Sequence, residues 1–161
     1  MAADGKVRIV PSILDRLLDD DPGDHTLAAQ DPAFNLRQMR ASVRRDLEDL
    51  LNSRVSWQTW PEAYTELQQS LLSYGLPDFS IMPVSSQDAR QRLCRIVEDT
   101  IRKFEPRFAD VRVEVAEEGG LATTLRLRIN AVMYAIPVPE EVSFDTELEP
   151  VTLGLRLLEK L

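Results

Sequence analysis

The spacing of apolar residues changes once along this chain. Up to about residue 105 they recur at intervals of three and four, and after Pro106 they alternate with polar residues. The first spacing belongs to helices that bury one stripe, the second to strands that bury one face.

The clearest early helix is NLRQMRASVRRDLEDLLNSR, residues 35–54. Asn35 suits its cap, and Leu36, Met39, Val43, Leu47, Leu50 and Leu51 form one apolar stripe. Arg40, Arg44, Arg45, Asp46, Glu48 and Asp49 fall off that stripe, as a solvated face would have them. A second strong helix is expected over residues 85–105, SSQDARQRLCRIVEDTIRKFE. Ser85 or Ser86 caps it, and Ala89, Leu93, Ile96, Val97, Ile101 and Phe104 are its buried side. Asp88 near its start and Arg102 and Lys103 near its end complement the helix dipole. Between the two, Pro61 suits a first helical position and Gly75 a helix end. Tyr64, Leu67, Leu71 and Leu72 lie at roughly helical spacing there. Trp57 and Trp60 are expected as core anchors or as a staple at the start of that helix. YGLPDFS then reads as a stop followed by a structured turn.

Ahead of these, residues 1–11 read as a loose arm and SILDRLL, residues 12–18, as a short amphipathic helix. Ser12 caps it, and Ile13, Leu14, Leu17 and Leu18 make its stripe. The Asp-, Pro- and Gly-rich run from Asp19 to Pro32 predicts an exposed linker. The stripe of so tethered a helix is either tucked onto the core or offered to a partner. The expected organisation is an N-terminal arm with a short helix and flexible linker over 1–34, then a single domain over 35–161.

Beyond Pro106, Val111, Val113 and Val115 alternate with polar residues, and Glu118-Gly119-Gly120 is a hairpin-like break. Leu125, Leu127 and Ile129 continue on one face, followed by Val142 and Phe144. VTLGLRLL, with Val151, Leu153 and Leu155, reads as a strand or as a short helix. Helices first and a largely antiparallel sheet after them, each strand apolar on one face, predict a two-layer α+β fold with the helices packed on that face.

Composition narrows the functions. The 161 residues carry a net charge of −8, which argues against nucleic acid as a partner, although Arg37 to Arg54 is locally basic. The single cysteine, Cys94, has no internal disulfide partner and reads as a buried thiol. The single histidine, His25, lies in loop composition. No CxxC, HExxH or clustered histidines occur, so neither metal nor cofactor is expected. There is no apolar run of signal-peptide length at the start and none of about 18 residues anywhere, so no membrane insertion is expected and the cytoplasm is the default location.

Where the period changes stands KFEPRF, residues 103–108. Pro106 lacks an N–H and disfavours the α conformation at Glu105, so the helix must stop. Glu105 then faces the negative end of the helix dipole, which disfavours a carboxylate by about 0.3–1 kcal/mol unless it is paired. Arg107 can pair with it, and proline sets their spacing. Three readings follow: a solvated turn, half of a catalytic pair, or a rigid acid–base corner for docking. Catalysis of glycoside hydrolysis needs two carboxyls roughly 5–10 Å apart, and Glu105 with Asp145 is the pair to nominate. An adjacent arginine, however, lowers the pKa of Glu105, against the need of a general acid. A Ser-His-Asp set would have to use His25, and GKVRIVPS lacks the spacing of a phosphate loop.

PSILDRL near the start, SVRRDLEDLLNSR in the first long helix, LLSYGLPDFS, FEPRF at the joint and VSFDTELE over 142–149 occur in an order that resembles the TssE family. These are the small baseplate wedge subunits of bacterial type VI secretion systems, similar to the small wedge protein of contractile phage tails and sometimes labelled lysozyme-like. The resemblance implies a non-enzymatic structural subunit. It implies that Glu105, Pro106 and Arg107 dock on a bundle formed by TssF and TssG, with TssK among the baseplate partners. It also implies that the sheet accepts strands from the sheath subunits TssB and TssC. Residues 150–161, PVTLGLRLLEKL, are more apolar than the family's ending. On this reading Arg107→Ala abolishes wedge assembly while leaving the domain folded. The alternative readings are a glycosidase acting on peptidoglycan and a small regulatory adaptor on the same fold.

Overall fold

A computed structural model of the chain describes residues 13, 17, 36–57, 60, 61, 63–80, 82, 83, 86–116, 125–134, 139–148 and 154–159. Three α-helices and four strands are described. They are α1 (Leu36–Asn52), a single turn α2 (Thr65–Gln68), α3 (Gln87–Phe104), β1 (Phe108–Val115), β2 (Arg126–Met133), β3 (Glu140–Leu148) and β4 (Leu155–Glu159). Ile13 and Leu17 are helical and exposed, at 80% and 75%. The expected caps at Ser12 and Asn35, the linker, His25 and the break at Glu118-Gly119-Gly120 lie outside the described residues.

The α+β expectation holds. The four strands form one antiparallel sheet in the order β1-β2-β3-β4, and α1 and α3 share one apolar core with it. Met39, Val43, Leu47, Leu50 and Leu51 of α1 are buried, as are Leu93, Cys94, Val97 and Ile101 of α3. They meet Val111 and Val113, then Leu127, Ile129, Ala131 and Met133, then Val142 and Phe144, then Leu155 and Leu157. Period-two alternation puts the intervening residues on the other face. There, Arg128 Nε donates to Asp145 at 2.7 Å, Arg126 to Glu147 at 3.3 Å and Ser143 Oγ to Asn130 at 2.9 Å. The strand-or-helix question near the end resolves as strand. Leu155 and Leu157 point into the core across from Leu148 and Thr146.

Two side-chain devices join helices to the sheet edges. The Asn52 amide, at the end of α1, donates to the Leu155 carbonyl and accepts from the Leu155 N–H, both at 2.9 Å. At the opposite edge Glu98 accepts the Val113 N–H at 3.1 Å, and Arg102 donates to the Val111 carbonyl at 2.8 Å. Each satisfies backbone groups that an edge strand would otherwise leave bare.

The middle region departs from its expected helix. Only α2 and a 3-10 turn over Leu71–Ser73 form. Ser70 Oγ donates to the Leu67 carbonyl and accepts from the Leu72 N–H, and Ser73 Oγ also takes the Leu67 carbonyl. Such local bonds compete with a continuing helix. Trp57 is 89% exposed and Leu71 87%, with Tyr64 and Leu72 exposed as well, so Trp57 is no core anchor. Leu76 and Phe79 fill the core from this region instead. Gly75 makes that possible. Its φ is +107°, and a Cβ there would stand 2.5 Å from the Ser53 carbonyl oxygen. Only glycine lets Leu76 bond Ser53 and Val55 through its backbone, at 2.9 and 3.0 Å.

Candidate functional site: a charged corner between helix and sheet

The α3 helix ends where proline demands. The Glu105 N–H closes the last turn on the Ile101 carbonyl at 2.8 Å, and the Phe108 N–H returns to the Glu105 carbonyl at 3.3 Å. The Tyr134 N–H then donates to the Arg107 carbonyl at 2.8 Å, which ties the corner to the end of β2. The backbone of Glu105-Pro106-Arg107 is therefore held from three sides, by α3, by its own turn and by the chain leaving β2.

The side chains are more tightly engaged than a solvated turn would require. Glu105 is only 6% exposed. Its Oε1 accepts from Arg107 Nε at 2.6 Å and from the Arg107 backbone N–H at 3.2 Å, and its Oε2 accepts from Arg107 Nη2 at 2.5 Å. This is a two-pronged, charge-assisted contact. Arg107 Nη2 also donates to Asp46 Oδ2 at 2.7 Å, and Nη1 reaches Ser42 Oγ at 3.4 Å. The other Asp46 oxygen accepts from Arg45 at 2.9 and 3.2 Å. Arg45, Asp46, Arg107 and Glu105 thus form a run of alternating charge linking α1 to the corner.

Electrostatics follows the geometry. Burial works against the charge on Arg107, but the hydrogen bonds and charge of Glu105, then those of Asp46, outweigh it and raise the guanidinium pKa above its ordinary value. Tyr74 packs its ring edge-on against Phe104, with centroids 5.3 Å apart. Its phenol pKa is raised, first by burial and then by Asp49, Asp46 and Glu105. The unfavourable position of Glu105 at the helix end is thereby answered by an arginine fork.

The structure keeps the three motif residues together and adds two from α1. Asp46 and Ser42 did not stand out in the sequence, where Asp46 read as part of a solvated face. Both immediately precede stripe positions, Val43 and Leu47. A small polar residue and an acid at that offset, on the border of a buried stripe, are the signal that could have found them. Arg40 of the same helix is likewise engaged, paired with Glu140 at the start of β3.

Asp145 does not join Glu105. It bonds Arg128 on the sheet face away from the core, whereas the corner adjoins Met133, the β2 partner of Phe108. Arg128 and Met133 stand five positions apart along β2, about 17 Å, beyond the spacing of a glycosidase pair. Each of the two carboxylates is neutralised by its own arginine. Cys94 is buried as expected, and burial, then Glu98, pushes its thiol pKa up, opposite to what a nucleophile needs. Among the described residues no three His, Cys, Asp or Glu side chains are grouped to hold a metal ion. No helix among them is long and apolar enough to cross a membrane.

Comparison with known proteins gives two findings. A family profile described as "Baseplate wedge protein gp25" matches residues 37–138, more than half of the chain, from the second residue of α1 through α3, the corner, β1 and β2. A chain from a solved structure described as "The baseplate complex from the type VI secretion system" is similar at 20% identity and a TM-score of 0.46. The match covers 77% of this chain and 97% of that one. No curated protein matches.

Proposed function

The chain belongs to the gp25 family of baseplate wedge proteins, and from that premise we propose that it is a structural, non-catalytic subunit of a type VI secretion baseplate. It docks on TssF and TssG through Glu105, Pro106 and Arg107, sits with TssK in the cytoplasmic baseplate, and helps start the sheath of TssB and TssC. The observation that carries this reading is the corner itself. A buried carboxylate and an arginine are held as a preformed unit beside an exposed proline, within the span that matches the family. Preorganisation lowers the ordering cost of binding.

The sheet edges support the sheath part of the reading. Glu98 and Arg102 occupy the β1 edge. On β4, Asn52 takes both outward backbone groups of Leu155. By the alternation of an antiparallel ladder, those of Leu157 face the same open side. A strand from a sheath subunit would pair there by the chemistry of strand addition.

The test is co-purification with TssF and TssG of the wild type beside Arg107→Lys, with circular dichroism as the folding control. Lysine keeps the charge but cannot form the planar fork. Capture reduced at least tenfold with an unchanged spectrum is expected. Equal capture would mean that docking runs through another face.

A further inference from the structure

We infer that Asp46 is a positioning residue of the docking corner, so that the corner is a composite of α1 and the turn at Pro106 rather than the triplet alone. The inference rests on the docking reading above. A guanidinium offers five N–H donors. Arg107 spends its Nε hydrogen and one Nη2 hydrogen on Glu105, at 2.6 and 2.5 Å. The second Nη2 hydrogen goes to Asp46 at 2.7 Å and one Nη1 hydrogen to Ser42 at 3.4 Å. The remaining Nη1 hydrogen is the one donor without a partner among the described residues. The two-pronged edge expected to meet a partner is thus turned inward, and a partner carboxylate could take it only by displacing Glu105 or Asp46.

What the corner leaves unspent is a single Arg107 N–H, next in sequence to the exposed Pro106. The matching chemistry is one neutral acceptor, such as a main-chain carbonyl of a partner subunit, not an acidic side chain. Charge leads to the same conclusion. Arg45, Asp46, Arg107 and Glu105 alternate in sign and cancel, so the corner carries little net field to attract an acid. Asp46 fixes the geometry because it is the carboxylate of this run that reaches Arg107 from outside the turn. It is held on its other oxygen by Arg45, and it stands 61 residues from Arg107 in sequence. Glu105 alone holds the Nε–Nη2 edge and leaves the far end of the guanidinium without a charged contact.

The experiment uses the full chain with Asp46→Ala, and Arg40→Ala as a control that breaks a separate ion pair, between α1 and β3. The first readout needs no partner: nitrogen-edited NMR of the arginine side chains. In the wild type the Arg107 Nη hydrogens should be resolved, because the fork cannot rotate. In Asp46→Ala they should merge, while in Arg40→Ala they stay resolved. The second readout is affinity for a TssF–TssG complex. A loss of about tenfold is expected for Asp46→Ala and less than twofold for Arg40→Ala. Resolved Arg107 hydrogens in Asp46→Ala would overturn the inference. So would merged hydrogens with wild-type affinity, or equal loss in the two variants. Should the wild type itself fail to bind TssF–TssG, the docking reading falls, while the NMR still decides whether Asp46 holds the fork.

Discussion

At the scale of single residues, Glu105 has the least freedom to change its surroundings. It is a buried carboxylate at the wrong end of a helix dipole, and Arg107 answers both problems. Removing one partner of a buried ion pair leaves the other uncompensated, at a cost of about 3–5 kcal/mol. Arg107→Ala is therefore expected to lower the unfolding free energy from a urea titration by an amount in that range, seen as a lower midpoint. Neutralising both members, in Glu105→Gln with Arg107→Met, should recover most of the loss. A wild-type midpoint for Arg107→Ala would show that the fork contributes nothing to folding. This changes the use of that substitution, because it weakens the domain and so does not separate docking from folding. The pairing of Glu105 with Arg107 was legible in the sequence, since the two are neighbours and the helix stop is written in Pro106. The burial of Cys94 was legible from its place on the α3 stripe. The exposure of Trp57 was not, because a tryptophan four residues ahead of Pro61 looks the same as an anchor or as a surface residue until the following segment folds.

At the scale of elements, burial follows spacing where the periodic run is long. The stripes of α1 and α3 span whole turns, so their burial follows from spacing alone. The stretch from Pro61 to Gly75 has apolar residues at similar intervals, but its serines bond the local backbone and stop the helix. Gly75 was legible as a terminator. The reason for glycine there is the approach of the Ser53 carbonyl, which comes from another part of the chain. Gly75→Ala should cost about 1–3 kcal/mol through its positive φ and that contact. Thermal unfolding measures it, and a midpoint within error of wild type would mean that the backbone relaxes without loss.

At the scale of the whole molecule, the first helix and the last strand hold each other. The Asn52 amide replaces a missing strand neighbour for Leu155, with the two residues 103 positions apart. Asn52→Ala would leave a donor and an acceptor of the edge strand without these bonds, at about 1–3 kcal/mol. The expected result is selective. Amide hydrogen exchange should rise first in β4 while β1 and β2 keep their protection. Uniform loss across the sheet would show that Asn52 supports the domain at large and not that edge.

The α+β class, the two long helices and their buried faces, the stop at Pro106 and the pairing of neighbours across it are all written in the order of the residues. All of these depend on periodicity, backbone chemistry and contacts within a few residues. Which polar residues of α1 meet the corner, which edge Asn52 occupies and the inward turn of the arginine fork come from the packing of distant segments. Periodicity reports that a face is buried and not what lies against it. A choice of partner made across 61 or 103 residues depends on where the packed helix lies on the sheet, and that position is a property of the whole core.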